Sequence, residues 1–144
     1  VLPVLTEMEL AGFALDVPID VNVCGEGGSG GALGIAVGDR ILMQEFAVYS
    51  VIPPEGCAAI LWRDAQRKVE AAEALKITAP DLLALGIIDE IVKEPIGGAH
   101  RDGVEVVKAT GEVVAEALAA FDALTPDQIR KDRREKFLAM GRPA

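Results

Sequence analysis

The sequence has little histidine and little cysteine. Among 144 residues there is one histidine, His100, and there are two cysteines, Cys24 and Cys57. Two cysteines do not make a disulfide scaffold, and there is no CxxC pair, Cys/His cluster or HExxH motif with the spacing of a metal site. The sequence therefore predicts no metal bound by this chain and no Cys/His pair for nucleophilic catalysis.

Long apolar runs and an excess of positive charge are also missing. No run reaches the about 20 apolar residues needed to cross a bilayer. The first residues lack an initiator Met and the basic stretch of a signal peptide, which indicates a chain cut from a longer one. The formal net charge is −9, which argues against a general nucleic-acid binder. We expect a cytoplasmic protein without a nucleic-acid or membrane partner.

What the chain does contain is typical of one globular domain. Hydrophobic residues make up 51% of it and charged residues 26%. The charge is uneven, because residues 125–144 hold six basic and three acidic side chains. We interpret this basic run as the solvated face of a helix, with contact to a partner or an anion as the alternative.

Strand-like and helix-like segments alternate along the chain, which predicts an α/β architecture. Trp62 and Phe121 are predicted core residues. Strands are predicted over residues 19–24, 40–46, 48–52 and 87–92, and helices over 5–15, 32–37, 55–62, 66–76, 78–86, 104–123 and 128–140. Capping signals with Thr78 and Thr125 precede two of these helices.

The most informative segment is residues 25–31, which follows the first predicted strand and contains five glycines. Glycine allows a ligand to approach the backbone closely, and the next helix begins with free N–H groups, so the pair can form an anion or oxyanion site. Its GxGxxG pattern also allows dinucleotide binding, with Glu45 as the acidic partner of a ribose. A phosphate-binding loop is excluded because no GK[ST] follows.

Several blocks resemble the carboxyltransferase alpha subunits of bacterial-type acetyl-CoA carboxylase. They occur in the family's order and extend over roughly residues 17–140, whereas residues 1–16 match poorly. The blocks are residues 25–33 (GEGGSGGAL), 49–52 (YSVI), 54–62 (PEGCAAILW), 71–79 (AAEALKITA) and 94–101 (EPIGGAHR).

The resemblance implies an α/β, crotonase-like fold, a spiral of ββα units. Chains of the family are about twice as long. We therefore expect residues 1–144 to be the C-terminal part of a single carboxyltransferase domain, truncated at the N-terminus and ending in a helical segment.

The resemblance also implies the reaction and the partners. The expected activity is transfer of a carboxyl group from carboxybiotin, held on the biotin carboxyl carrier protein, to acetyl-CoA. The product is malonyl-CoA, in the first committed step of fatty acid biosynthesis. The other expected partners are biotin carboxylase and a beta subunit, with which the chain forms an α2β2 assembly. Activity is expected only with that beta subunit.

By position, the resemblance assigns the oxyanion hole to the backbone amides of Gly30 and Gly31. These would polarise the ureido oxygen of biotin, while Gly27, Gly28 and Ser29 would contact the substrate. Such a site works by positioning and by backbone dipoles and needs no Ser/His/Asp set.

The remaining candidates have structural interpretations. Cys24 and Cys57 are expected to be small buried thiols, Glu26 to brace the glycine segment, and His100 to have a structural role. The alternative functions are another crotonase-like acyl-CoA enzyme, a non-catalytic binding module with the same fold, or a nucleotide-binding domain.

Overall fold

The protein is described here by a computed structural model that covers residues 2–141. Within that range it forms seven α-helices, five strands and two short 3₁₀ turns, at Ala65–Arg67 and Ala99–Arg101. The order is α1 (Leu2–Ala14), β1 (Asp20–Val23), β2 (Glu26–Gly28), α2 (Ser29–Ile35), β3 (Arg40–Gln44), β4 (Val48–Ser50), α3 (Pro54–Trp62), α4 (Lys68–Leu75), α5 (Ala79–Ala84), β5 (Glu90–Val92), α6 (Gly103–Ala119) and α7 (Pro126–Ala139).

Two successive strand–strand–helix units form the centre of the fold. In the first, β1 and β2 lead into α2, and in the second, β3 and β4 lead into α3. Equivalent strands pair in parallel, β1 with β3 and β2 with β4, and β5 joins the other side of β3. The expected repetition of ββα units is therefore present.

The core lies against the central strand β3. Leu42 and Met43 have no solvent exposure, because β1 and β5 flank the strand and helices cover its faces. Seven buried side chains form one cluster against it, with Tyr49 and Phe137 packed on its margin: Val23, Ile41, Met43, Ala47, Ala79, Leu82 and Ile88. The core thus extends from the sheet to Val23, which precedes the glycine segment 25–31, and to Tyr49 of β4.

The predicted elements are confirmed, the strands with shorter bounds and α1, α2, α3 and α7 with longer ones, but the glycine segment is more regular than predicted. Residues 26–28 form strand β2, and α2 begins at Ser29 rather than at Ala32. The helix predicted over 66–76 begins as a 3₁₀ turn. Trp62 is only partly buried, beneath the Arg67 guanidinium at 4.3 Å from its ring centroid, and Phe121 is also only partly buried.

The two predicted capping signals differ in outcome. Thr125 and Gln128 form the full reciprocal capping box at the start of α7. Thr78 does precede α5, but its hydroxyl donates to Asp81 Oδ2 at 2.7 Å instead of accepting from the helix backbone.

The interpretation of the basic run as a solvated face is wrong at Arg133. This side chain is fully buried, and its guanidinium forms a bidentate ion pair with Asp39, with Nε–Oδ1 at 3.0 Å and Nη2–Oδ2 at 2.7 Å. It also donates to the carbonyls of Gly12, Leu15 and Val17 at 2.6 to 2.9 Å. Arg133 therefore ties the end of α1, the segment after it and the turn before β3 to α7.

A second basic residue of α7, Lys136, also turns inward. Its ammonium lies 2.6 Å from Asp89 Oδ2, which in turn accepts the Ile41 N–H at 2.7 Å. Lys131 and Arg134 are exposed, as the solvated interpretation requires. The basic helix is thus bound to the acidic end of the sheet within the same chain.

Asp20, at the start of β1, has a buried carboxylate without a partner. Both oxygens are out of contact with solvent, and neither accepts a hydrogen bond from a described residue. Burial, with the nearby charges of Asp39 and Asp89, raises the pKa of Asp20 above its ordinary 3.8, although Arg40 and Lys136 oppose the shift. A raised pKa in the folded protein means that ionised Asp20 disfavours folding.

We expect Asp20→Asn to stabilise the complete protein at neutral pH by about 1 kcal/mol. The substitution replaces a buried negative charge, which accepts no hydrogen bond from a described residue, by a neutral amide. Below the ordinary pKa of 3.8 the Asp20 carboxyl is protonated in both the folded and the unfolded chain and does not destabilise the fold. The destabilisation grows as the pH rises from that value to the higher pKa of the folded state. The gain should therefore vanish at about pH 3. Urea unfolding at both pH values measures this, with exposed Asp122→Asn as control. An equal gain at both pH values would contradict the assignment.

Candidate functional site

The site is built at the junction between β2 and α2, where the backbone turns abruptly. Gly28 has an extended backbone, and Ser29 immediately after it has a φ of +60°. A left-handed conformation at a non-glycine residue is strained and persists only where its surroundings hold it. The junction is therefore a defined geometry and not a flexible glycine linker.

The first turn of α2 presents N–H groups that have no acceptor within the helix. In an α-helix each N–H donates to the carbonyl four residues earlier. Because α2 starts at Ser29, those earlier residues lie outside the helix for Gly30 and Gly31, and their N–H groups have no partner within it. They point from the N-terminal end of the helix, where its dipole is positive. Two adjacent donors on one turn can bind one oxygen that develops negative charge.

The glycines of this segment have different surroundings. A Cβ at Gly27 would lie 2.7 Å from the Tyr49 ring, and one at Gly30 would lie 2.8 Å from a methyl group of Leu5 in α1. At Gly31 a Cβ would meet no atom within 4 Å. Gly27 and Gly30 thus let other elements pack closely, whereas Gly31 faces open space that a ligand can enter.

A cleft of about 290 Å³ lies beside this junction, at the free edge of β1. Three of the predicted site residues, Gly27, Gly28 and Gly31, line it. Gly30 is turned towards α1, and Ser29 lines an adjacent apolar groove of about 490 Å³. The structure therefore brings together only part of the predicted set around one opening.

The cleft has little charge of its own. Of the residues described, Glu26 is the charged side chain that lines it, and the glycines, Asn22, Cys24 and Tyr49 supply its other polar groups. Burial raises the pKa of the Tyr49 hydroxyl, so this group stays protonated at neutral pH. Such a site can orient a ligand and stabilise negative charge through N–H donors.

The cysteine predictions are only partly right. Cys24 is exposed and lines the cleft, so the prediction that it is a buried thiol is wrong. The strand ends at Val23, and the chain leaves the core at the next residue. Cys57 is partly buried in α3.

Of the other two side chains considered, Glu26 lines the cleft and His100 does not. Glu26 is exposed, and its carboxylate forms no hydrogen bond to another described residue, so the bracing role is not seen. His100 is exposed in the 3₁₀ turn Ala99–Arg101 and does not line the cleft.

The dinucleotide hypothesis does not fit the local structure. That fingerprint needs its glycines in the turn between a strand and a helix, whereas here residues 26–28 are themselves strand β2, paired with β4. Glu45, the proposed ribose partner, is instead paired with Lys93 at 2.8 Å.

The described residues show neither a metal cluster nor a membrane-spanning helix. No group of three or more His, Cys, Asp and Glu side chains in residues 2–141 is placed to hold a metal ion. None of the helices in that range is both long and apolar enough to span a bilayer.

The sequence analysis missed Tyr49 as part of the site. Its partner in the β2–β4 ladder is Gly27, and its ring forms one wall of the cleft. It is the single tyrosine of the chain, but only the strand register shows which glycine it faces.

Known proteins match this chain over almost the whole of its own length. A family model described as acetyl co-enzyme A carboxylase carboxyltransferase-like matches residues 5–141, so the similarity begins earlier than residue 17. Relatives named acetyl-coenzyme A carboxylase carboxyl transferase subunit alpha occur in Azorhizobium caulinodans, 57% identical over 92% of this chain, and in Thermosynechococcus vestitus, 60% identical over 90%. The chain spans 42% and 40% of their lengths.

Two solved structures share the fold at low sequence identity. A Pseudomonas malonate decarboxylase hetero-tetramer in complex with coenzyme A aligns with a TM-score of 0.64 and 16% identity, over 90% of this chain and 49% of that one. Transcarboxylase 12S, with hydrolysed methylmalonyl-coenzyme A bound, gives 0.62 and 19%, over 81% and 23%. The likeness concerns the fold alone, and the expected α/β, crotonase-like class is confirmed.

Proposed function

The chain belongs to the acetyl co-enzyme A carboxylase carboxyltransferase-like family, and we propose that it is the C-terminal part of an alpha subunit of that enzyme. The proposed activity is transfer of a carboxyl group from carboxybiotin to acetyl-CoA, which gives malonyl-CoA for fatty acid biosynthesis. The observation that carries this proposal is the 57% identity to alpha subunits over 92% of the chain.

The residues at the β2–α2 junction suit the proposed chemistry. Bound carboxybiotin would supply the carboxyl group. Loss of that group would leave negative charge on the ureido oxygen, which hydrogen-bond donors can stabilise. The backbone N–H groups of Gly30 and Gly31 are adjacent donors at a helix start, and Gly31 faces open space. Donors fixed before the reaction cost no reorganisation when charge develops.

The surrounding residues would orient the donor and the acceptor. Gly27, Gly28 and Ser29 extend along the cleft and the adjoining apolar groove, where bare backbone and apolar walls can contact a flat ring. Excluding water there would strengthen the hydrogen bonds to the oxyanion. In this account Cys24, Glu26 and His100 take no part in bond breaking.

The partners in this proposal are other proteins of the same enzyme. A beta subunit would complete the acetyl-CoA side of the site in an α2β2 assembly in the cytoplasm. The biotin carboxyl carrier protein would bring the carboxylated cofactor from biotin carboxylase. The name "subunit alpha" borne by the relatives supports an enzyme of several subunits.

The proposal is tested with the complete alpha subunit, purified alone and together with its beta subunit. The assay runs the reaction in reverse and follows malonyl-CoA-dependent carboxylation of free biotin. We expect turnover only when both subunits are present. Loss of CO2 from malonyl-CoA without carboxylation of biotin would favour another crotonase-like acyl-CoA enzyme, and no turnover of any kind would favour a non-catalytic module.

A further inference from the structure

We propose that Tyr49 is a positioning residue for the transfer reaction, which holds β2 and α2 so that the Gly30 and Gly31 N–H groups are aimed at one point. This inference rests on the function proposed above for those amides. Tyr49 also lines the cleft, but the role proposed here is exerted through its contacts with the two elements that flank the junction.

The first contact is between the Tyr49 ring and strand β2. Gly27 and Tyr49 are opposite each other in the parallel β2–β4 ladder. A Cβ on Gly27 would lie 2.7 Å from Tyr49 Cδ2 and 3.2 Å from Cε2, closer than real side-chain contacts allow. The Tyr49 ring therefore occupies the space that a side chain at position 27 would fill, in direct contact with β2.

The second contact is between the Tyr49 hydroxyl and helix α2. The hydroxyl donates to the carbonyl of Ala32 at 3.4 Å. In a continuing α-helix that carbonyl would accept the Ala36 N–H, but this N–H bonds Leu33 at 3.2 Å because the helix is ending. The Tyr49 hydroxyl thus reaches a carbonyl that the helix end leaves available.

Between these two contacts lies Ser29, with its φ of +60°. A strained residue relaxes unless the elements on both sides are held, and Tyr49 contacts both β2 and α2 here. Tyr49 is itself anchored in β4, where its N–H donates to the Ile77 carbonyl at 3.1 Å. If the ring is lost, the first turn of α2 should shift relative to β2, and the two amide donors should shift with it.

The test compares Tyr49→Leu with Tyr49→Phe in the complete alpha subunit assembled with its beta subunit. Tyr49→Leu should lower kcat for biotin carboxylation by about 10–100-fold, because a misplacement of about 1 Å has effects of that size. The KM for malonyl-CoA should stay within about twofold, since in the proposed function the beta subunit forms the acetyl-CoA side of the site. Tyr49→Phe keeps the ring contact with β2 but loses the hydroxyl contact with α2, so its kcat should lie between those of Tyr49→Leu and wild type. Phe46→Leu, at an exposed aromatic residue, is the matched control.

A double-variant cycle examines the ring contact directly. Gly27→Ala should lower kcat when Tyr49 is present, because the added methyl group meets the ring. It should have much less effect when combined with Tyr49→Ala, which removes the ring, so the two changes should be strongly non-additive.

Hydrogen exchange supplies a readout that does not depend on activity. Residues 28–32 should exchange faster in Tyr49→Leu than in wild type or Phe46→Leu, with an intermediate rate in Tyr49→Phe and with β3 unchanged. Unchanged exchange in this segment would overturn the positioning role, whether or not the complex carboxylates biotin. An active wild-type complex in which Tyr49→Leu keeps full kcat would also overturn it. An inactive wild-type complex with faster exchange would instead contradict the proposed function and leave the positioning of the junction supported.

Discussion

Replacement of Arg133 by methionine is expected to lower the free energy of unfolding by about 3–5 kcal/mol, the usual effect of removing one partner of a buried ion pair. The Asp39 carboxylate, whose side chain is 3% exposed, would remain buried without its counter-ion. The carbonyls of Gly12, Leu15 and Val17 would lose their donor as well. Methionine keeps much of the apolar stem, so the loss reports mainly on charge and hydrogen bonding.

The measurement is urea unfolding of the complete alpha subunit, followed by circular dichroism. Arg134→Met is the matched control, because this neighbouring side chain is exposed and should change stability by no more than about 0.5 kcal/mol. Adding Asp39→Asn to Arg133→Met should restore part of the loss, since the unpaired charge disappears. Equal urea midpoints for Arg133→Met and Arg134→Met would show that the ion pair does not hold α7 to the sheet.

Local features of the fold were predictable because short-range interactions determine them. The capping box of Thr125 and Gln128 involves residues three apart, and it marks the start of α7 correctly. The apolar spacing that predicts α6 is likewise a property of one continuous segment. The order of strands and helices, and with it the α/β class, follows from such segments.

The features that hold the site together depend on contacts between distant residues. Arg133 and Asp39 are 94 positions apart, and no local pattern distinguishes Arg133 from the exposed Arg134. The pairing of Gly27 with Tyr49 depends on the register of β2 against β4. The positive φ of Ser29 arises where two packed elements meet, at a residue type that does not favour it.

The structural repeat was also hidden from the sequence. Asp20 pairs with Arg40 and Glu26 with Val48, so β3 and β4 repeat the arrangement of β1 and β2. The side chains at these positions share little, because β1 lies at the edge of its sheet and β3 at its centre. Resemblance to a family supplied the ββα architecture that periodicity alone did not reveal.

Gly31→Val is expected to reduce carboxyl transfer by about 10²–10³-fold, the effect of losing one oxyanion-hole donor. A side chain at this position would enter the open space beside the N–H groups and keep the ligand oxygen away from them. The fold should tolerate the change, because no atom lies within 4 Å of the new Cβ and Gly31 does not have a positive φ. This separates Gly31 from Gly27, where an added Cβ meets the Tyr49 ring.

A second glycine provides the control for the valine substitution itself. Gly111 is exposed within α6, and a Cβ there also meets no atom within 4 Å. Gly111→Val therefore places the same β-branched residue in a helix, away from the cleft. Any general effect of valine on helix stability or assembly should appear equally in both variants.

The central claim is that the amides at the start of α2 stabilise charge during carboxyl transfer. It is tested most directly by malonyl-CoA-dependent carboxylation of free biotin, with wild-type, Gly31→Val and Gly111→Val subunits each assembled with the beta subunit. The account predicts normal assembly of all three, near wild-type turnover for Gly111→Val, and a loss of about 10²–10³-fold for Gly31→Val. Normal assembly of Gly31→Val with near wild-type turnover would contradict it, and the glycine segment would then be only a structural turn.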